Sequence, residues 1–444
     1  MKKLFLTILP FALTFLLPGY ARAKPNFVVL FADDMGYGDL SCYGHPTIHT
    51  PDLDRMAAEG IRLTSFYAGA AVCSPSRAAL LTGRYPIHAG MPTNTGPGSD
   101  KHLPEDQVLI PQILKPAGYQ SMAVGKWHLG HQRDDLMPTG RGFDHFLGLP
   151  YSNDMIKPFV QTDEPLYLFK DANAQEEGGH DQNYLTVRYT EAAVSFIETS
   201  AKARNPFFLY LAYSMPHLPV STVPEREGRS PAGLYGDVIQ TIDWSAGRIL
   251  ETLKNLGLDD NTLVVFTSDN GPWQNLPDRM LQAGNERWHS GNAGHLHGAK
   301  TTSWEGGPRV PGIFRWPGVI PPGRISSEMA STIDILPTLA NAAEAKLPAR
   351  HPLDGHDLLP FLKGEAASPR TEYLYTVGEY FEAIREGVWK YRRAGKDSPP
   401  QLFHLGRDPS EMYNVIDRYP DIAEQLRKKL EDKARNYGAS LREN

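Results

Sequence analysis

Asn26-Phe27-Val28-Val29-Leu30-Phe31-Ala32 runs without a charged break into Asp33-Asp34, and Thr262-Leu263-Val264-Val265-Phe266-Thr267-Ser268 repeats the design before Asp269-Asn270-Gly271. Consecutive Val, Leu and Phe suit strands buried on both faces of a parallel sheet, since a half-buried strand would alternate. Ligands gather beyond the carboxyl ends of such strands, so the two acidic pairs are expected on one edge. Pro206-Phe207-Phe208-Leu209-Tyr210-Leu211-Ala212 is a third strand, leading into Met215-Pro216-His217. Helical patterns alternate with these runs at 53–60, 108–114 (ahead of a strand at 121–124), 185–199 and 235–256. In the last, Val238, Ile239, Ile242, Ala246, Ile249, Leu250 and Leu253 share one face. The alternation predicts one α/β domain over 24–365, a large mixed, mostly parallel sheet flanked by helices. Beyond Glu365-Ala366-Ala367-Ser368-Pro369 the pattern changes to short alternating strands at 373–377, 381–384 and 388–392 and a charged amphipathic helix at 422–436. Residues 366–444 are therefore read as a smaller C-terminal α+β subdomain, an antiparallel sheet plus a helix.

Residues 1–23 carry Lys2 and Lys3, an apolar stretch broken by Pro10, and Ala21-Arg22-Ala23. They read as a bacterial-type signal peptide, so the chain is expected to be exported, periplasmic or secreted, with no membrane span. Losing Lys2, Lys3 and Arg22 takes the net charge from −6 to −9, which argues against a nucleic-acid surface and leaves any anion site to be built locally. The chain has 2 cysteines, Cys42 and Cys73. An exported protein invites a disulfide between them. The setting of Cys73 argues instead for a reactive side chain and leaves Cys42 as a small buried hydrophobe.

Cys73-Ser74-Pro75-Ser76-Arg77 precedes an apolar helical run ending at Gly83. Ser74 suits a helix cap, Pro75 a first turn and Gly83 a left-handed stop. The side chain at 73 is then expected at a helix N-terminus, where free N–H groups favour an anion, with Arg77 one turn in as a planar fork of donors. Asp33, Asp34, Asp269 and Asn270 offer only oxygen ligands, the preference of a hard divalent cation, which would also relieve their mutual repulsion. Calcium, magnesium and manganese all satisfy that reading. In Gly125-Lys126-Trp127-His128, extended backbone would point Lys126 and His128 the same way, with Trp127 packing. His295 and His297 share a face if extended but sit in a Gly-rich loop, which favours a rim segment over a metal pair.

The chain resembles the type I, formylglycine-dependent sulfatases, arylsulfatase A-like members of the alkaline phosphatase superfamily. Their signature is Cys-x-Pro-Ser-Arg followed by Leu-Leu-Thr-Gly-Arg, here Cys73 to Arg77 and Leu80 to Arg84. Similar to further family motifs are Gly125-Lys126-Trp127-His128, the Pro216-His217-Leu218-Pro219 segment, and Lys300-Thr301-Thr302-Ser303-Trp304-Glu305-Gly306-Gly307-Pro308-Arg309-Val310-Pro311. Leu402 to Asn414 looks like the family's terminal motif.

The resemblance implies an alkaline-phosphatase-like fold and hydrolysis of sulfate monoesters, here on sulfated saccharides or other small molecules. It implies that a formylglycine-generating or sulfatase-maturating enzyme oxidises Cys73 to an aldehyde whose hydrate is the nucleophile. It also implies one Ca2+ per chain, Mg2+ being the alternative, bound by Asp33, Asp34, Asp269, Asn270 and the modified side chain of Cys73. Lys126 is then expected to pin the hydrate, His128 to accept its proton, Arg77 and Lys300 to bind the sulfuryl oxygens, Lys300 also the bridging oxygen, and His217 to contact the leaving-group oxygen, with His217 or Lys300 protonating the departing alcohol. Ser152 matches a sulfate-contacting serine, while Glu305 and Arg309 are read as loop supports. Two other readings stand beside it: a phosphate or phosphonate monoester hydrolase on this scaffold, and an inactive calcium-dependent glycan-binding protein.

Overall fold

The computed structural model describes residues 24–176, 181–349, 352–393 and 399–441, so the expected signal peptide at 1–23 lies outside the described residues. The chain opens with β1 (Asn26–Ala32), α1 (Pro51–Ala58), β2 (Ile61–Tyr67), α2 (Cys73–Thr82) and α3 (Ile110–Leu114). It continues through β3 (Gln120–Lys126), β4 (His145–Leu149), β5 (Leu168–Lys170), β6 (Asn173–Glu176), α4 (Leu185–Ala203), β7 (Phe207–Ala212), α5 (Gly233–Asn255) and β8 (Thr262–Ser268). After β9 (Arg309–Arg315), β10 (Arg324–Ser326), β11 (Ala330–Ser331), α6 (Ile335–Ala342) and α7 (Leu359–Lys363) comes the C-terminal unit. That unit holds β12 (Glu372–Val377), β13 (Tyr380–Glu386), β14 (Trp389–Arg392), β15 (Gln401–His404) and α8 (Pro420–Tyr437).

Among the described residues the large sheet has 11 strands, ordered β10-β2-β9-β8-β1-β7-β3-β4-β5-β6 with β11 beside β2. Its centre, β8-β1-β7-β3-β4, is parallel throughout. Both runs that dictated this reading are buried at every position. One face of the sheet packs on α4 and α5, whose Val238, Ile239, Ile242, Ala246, Ile249, Leu250 and Leu253 all enter that core. The opposite face is covered by α2, α3, α6 and α7 through Leu80, Leu81, Ile110, Ile113, Leu336, Leu339 and Phe361. The four-stranded sheet β12-β13-β14-β15 is antiparallel and is covered by α8 through Ala423, Leu426, Leu430 and Ala434.

The register aligns the ends that matter. Ala32 pairs with Ser268, so Asp33 and Asp269 leave adjacent strands at the same level. β9 runs antiparallel to β8, so its entry, and the segment from Lys300 that precedes it, meets the carboxyl edge of the parallel strands. Glycines set two close approaches there. A Cβ on Gly125 would lie 1.8 Å from the Ala212 carbonyl oxygen and one on Gly148 1.8 Å from that of Gly125, so β7, β3 and β4 converge only with glycine at both places.

Candidate active site

Each residue singled out above for catalysis or metal binding comes to this one edge. Asp33 and Asp34 follow β1, Asp269 and Asn270 follow β8, Lys126 ends β3, Ser152 follows β4 and His217 follows β7. Cys73 opens α2 after the loop leaving β2. All of them are at least 95 % buried, as is Lys300, the most exposed at 5 %.

The helix carrying Cys73 differs in detail from expectation. Val72 is its cap residue, Cys73 its first helical position, and no side chain of α2 caps its end. Ser74 lies inside the first turn and its own N–H donates to Asn94 Oδ1 at 2.9 Å, so a distant loop does the capping assigned to Ser74. Gly83 ends the helix in the left-handed conformation, φ 66°.

Arg77 is an anchored fork. Its Nε and Nη2 donate to Asp269 Oδ2 at 3.1 and 2.8 Å, its Nη1 to the Lys126 carbonyl at 2.9 Å, and Nη2 lies 3.5 Å from Asp33 Oδ1. Lys126 Nζ is 2.6 Å from Asp33 Oδ2 and 3.1 Å from Ser152 Oγ. Lys300 Nζ is 2.7 and 2.8 Å from the two oxygens of Asp34. Burial works against both ammoniums, but Asp33 beside Lys126 and Asp34 beside Lys300 hold them above the ordinary lysine value, so both stay charged. Burial alone would push Asp33 up; Lys126 and Arg77 overcome it and hold that carboxyl well below the usual range. Burial and the charge of Asp33 push Asp269 up.

The two histidines are oriented by carbonyls. His128 Nε2 is 2.8 Å from the Thr95 carbonyl oxygen, which only accepts, so Nε2 bears the hydrogen and the lone pair is on Nδ1. That Nδ1 is buried without a hydrogen-bond partner. Burial first, then Lys126 and Arg77, hold His128 well below the ordinary histidine value, so the ring is neutral. His128 reaches its place through a left-handed turn, φ 63°, after Gly125 at φ 96°. The extended path expected to align it with Lys126 is not followed. His217 Nδ1 donates to the Leu218 carbonyl at 2.6 Å, and its Nε2 sits 3.6 Å from Asp34 Oδ2. Burial lowers its pKa too.

Ligand atoms of Asp33, Asp34, Cys73 and His217 lie within 4.8 Å of one another. Asn270 donates through Nδ2 to Asp34 Oδ1 at 2.7 Å, and the buried Oδ1 of Asn270 itself has no partner. Three carboxylates plus an orphaned amide oxygen fit a hard divalent cation. Cys73 Sγ lies 3.7 Å from Asp33 Oδ1, and burial pushes the thiol up to about 12, so it is neutral.

Sequence reasoning pointed to the loop 272–298 but did not single out Trp273 or Thr95. Trp273 packs 5.4 Å from the His217 ring and 4.7 Å from Lys300 Nζ, walling the site beside both. Thr95 acts through a backbone carbonyl, for which residue type carries no signal. His295 packs edge-on against Tyr37 and His297 stacks on Trp304 at 4.1 Å, so these two are packing groups. Neither cysteine is in a disulfide; Cys42, expected to be buried, is partly exposed, its N–H held by Asp54.

Comparison with known proteins bears on the family and the fold. The sulfatase family model matches residues 25–345, and the model for the C-terminal region of N-sulphoglucosamine sulphohydrolase matches 295–436. The N-acetylgalactosamine-6-sulfatase of Canis lupus familiaris is 36% identical over 468 residues, covering 92% of this chain and 87% of that one. Arylsulfatase A of Homo sapiens is 37% identical over 450 residues, covering 90% and 85%. A crystal structure of Ps i-CgsB in complex with k-i-k-neocarrahexaose superposes with TM-score 0.80 at 30% identity, covering 93% of each chain.

Proposed function

This chain belongs to the sulfatase family, and from that premise we propose that it hydrolyses sulfate monoesters of saccharides through a formylglycine made from Cys73. The observation that carries the reading is the placement of Cys73 at the head of α2, beside Asp33, on the sheet edge where buried Arg77, Lys126 and Lys300 also end. A divalent cation, calcium in this reading, would be held by Asp33, Asp34, Asp269, Asn270 and the oxidised side chain of residue 73. It would supply Lewis-acid neutralisation of the sulfuryl oxygens. The aldehyde hydrate supplies an oxygen nucleophile and a second hydroxyl whose deprotonation expels sulfate. A maturating enzyme that oxidises Cys73, and export directed by residues 1–23, belong to the same proposal. Among the described residues no helix is long and apolar enough to cross a membrane.

The chain's own residues divide the remaining work. Arg77, fixed by Asp269 and the Lys126 carbonyl, presents its charge without reorganising, the condition under which electrostatic stabilisation is largest. Lys126, with Ser152 Oγ beside it, binds the sulfuryl group and the attacking oxygen. His128 takes the proton at Nδ1. At the leaving-group oxygen Lys300 carries the available proton, because neutral His217 has its own hydrogen tied to Leu218; His217 Nε2 and Trp273 orient that oxygen's substituent. Saccharide esters are favoured because one of the relatives is named for an amino-sugar sulfate and the structural neighbour is in complex with an oligosaccharide.

The test is side-by-side hydrolysis of an aryl sulfate, the matching aryl phosphate and a panel of sulfated saccharides. Sulfate turnover is expected to dominate by orders of magnitude. Dominant phosphate turnover would overturn the reading in favour of a phosphate monoester hydrolase. Saccharide binding without sulfate release by aldehyde-bearing protein would leave a glycan-binding protein.

A pH profile tests the base. A proton acceptor works only when unprotonated, so the lowered pKa of His128 extends activity toward acid. kcat/KM is expected to stay level as pH falls through about 6.5, the ordinary histidine value, and to decline only below it. His128→Gln is expected to lower kcat about 10²-fold or more and to erase that acid limb. A wild-type decline centred on the ordinary value would remove His128 from the role.

A further inference from the structure

The segment from Lys300 to Arg309 is short of structure of its own. Thr301 takes a positive φ of 70°, and Gly306 and Gly307 leave no room for a Cβ, which would meet the Gly298 carbonyl oxygen at 2.3 Å and that of Thr302 at 2.2 Å. A chain this tightly folded must be held from outside, and the C-terminal unit holds it. The Glu305 N–H, five residues after Lys300, donates to Glu411 Oε2 at 2.7 Å. Lys390 of β14 bridges Glu305 Oε1 at 3.1 Å and Glu411 Oε1 at 2.7 Å, with no exposure of any of these side chains. Tyr67 and Tyr375 hydroxyls donate to the same Glu305 carboxylate, and Arg309 reaches it at 3.2 Å. Between Lys300 and Glu305, Ser303 Oγ accepts from Arg392 Nε at 2.9 Å, and Trp304 lies between the Arg392 guanidinium (4.1 Å) and the His297 ring (4.1 Å).

A buried ion network is weak evidence of stability, because two desolvated charges repay their cost only with excellent geometry. Its more specific product is a fixed position. We propose that Glu411, backed by Lys390, is a positioning residue for Lys300, so that the terminal motif 402–414 takes part in catalysis without touching substrate. This rests on the reading that Lys300 acts at the leaving-group oxygen. The segment is held at its start by Lys300 N–H to the Pro272 carbonyl (3.0 Å) and Thr301 N–H to that of Ala71 (2.7 Å), and farther along through Glu305. Slackening the far end displaces the ammonium from the oxygen it serves, and a shift near 1 Å is worth about 10²-fold in rate.

The experiment uses the matured full chain and a series of sulfate esters from nitrophenyl to a sugar alcohol, so that the need for help at the leaving group rises along the series. Lys300→Met is expected to lose about tenfold on the nitrophenyl ester and about 10³-fold on the sugar ester. Glu411→Ala and Ser303→Ala are expected to show the same rising loss, about 10- to 10²-fold on the sugar ester. Glu411→Gln, which keeps an acceptor for the Glu305 N–H, should retain more activity than Glu411→Ala. In a Lys300→Met background the Ser303 and Glu411 changes should cost less than about twofold. A uniform loss along the series in Lys300→Met would overturn the leaving-group role of Lys300, while non-additivity in the double variants would still support positioning. Additive costs in the double variants overturn the positioning role whatever that series shows, and Ser303→Ala alone decides if the Glu411 variants do not fold.

Discussion

Cys73→Ala, and equally wild-type protein whose Cys73 has been kept as a thiol, are expected to lose sulfate release by roughly 10⁵-fold or more while melting within a few degrees of the mature enzyme. For the unoxidised protein the direction of the effect follows from the thiol's surroundings. Burial pushes its pKa up to about 12, so the thiol stays neutral, whereas the thiolate is the nucleophilic form. Lys126 and Lys300 pull the other way but do not prevail. A site that used cysteine itself would do the reverse and lower the thiol. Cys73→Ser separates attack from release: a serine hydroxyl can take up one sulfuryl group, but no second hydroxyl is present to expel it. That variant is expected to carry at most one sulfate per chain and then stall. Intact-mass analysis beside sulfate assays reads both results, since the aldehyde is lighter than the thiol. Full activity in protein whose mass shows an unoxidised Cys73 would sink the proposal.

How much of this was legible depended on whether the information was local. β1 and β8 could be placed to the residue because seven consecutive positions bury on both faces, and the carboxylates after them inherit that placement. The central antiparallel strand β9 could not, since Arg309-Val310-Pro311-Gly312-Ile313-Phe314-Arg315 contains a proline and a glycine, which argue against a central strand. Gly312 is there because the Phe66 ring covers it, where a Cβ would meet the ring at 2.5 Å, and β2 is irregular at the same level. Only the fold supplies those reasons. β4 was missed likewise, its Gly148 being set by the backbone of Gly125 across the sheet.

In the site, residue types were legible and geometry was not. The cation set was expected from motif and resemblance, yet the capping of α2 by Asn94, the left-handed turn at His128 and the carbonyl of Thr95 that orients its ring come from loops remote in sequence. Trp273 was hidden in a stretch without a recognisable motif. Glu411 was quoted only as part of a terminal motif, because the partner that gives it meaning lies 106 residues earlier.

Exhaustive chelation is expected to lower kcat/KM by about 10³-fold or more and to lower the melting temperature by several degrees, with calcium restoring both. The loss has two parts. The first is the Lewis acid itself, worth several kcal/mol of charge stabilisation on the sulfuryl oxygens. The second belongs to the lysines. Lys126 pairs with Asp33 at 2.6 Å and Lys300 with Asp34 at 2.7 Å, so each ammonium neutralises a carboxylate that the cation is proposed to bind. A divalent ion held by those oxygens would weaken both pairs and leave the ammoniums to face the substrate, whereas without it they pair with Asp33 and Asp34. Lys126→Met and Lys300→Met should therefore cost less in chelated protein than in metal-replete protein, a non-additivity that loss of Lewis acidity alone would not produce. Calcium is expected over magnesium because Asp33, Asp34, Asp269, Asn270 and the side chain at 73 crowd one ion with protein ligands, while magnesium holds its own waters and demands octahedral regularity. Elemental analysis alongside activity checks the stoichiometry. Undiminished turnover by protein holding no divalent metal would end the assignment of these five side chains as ligands.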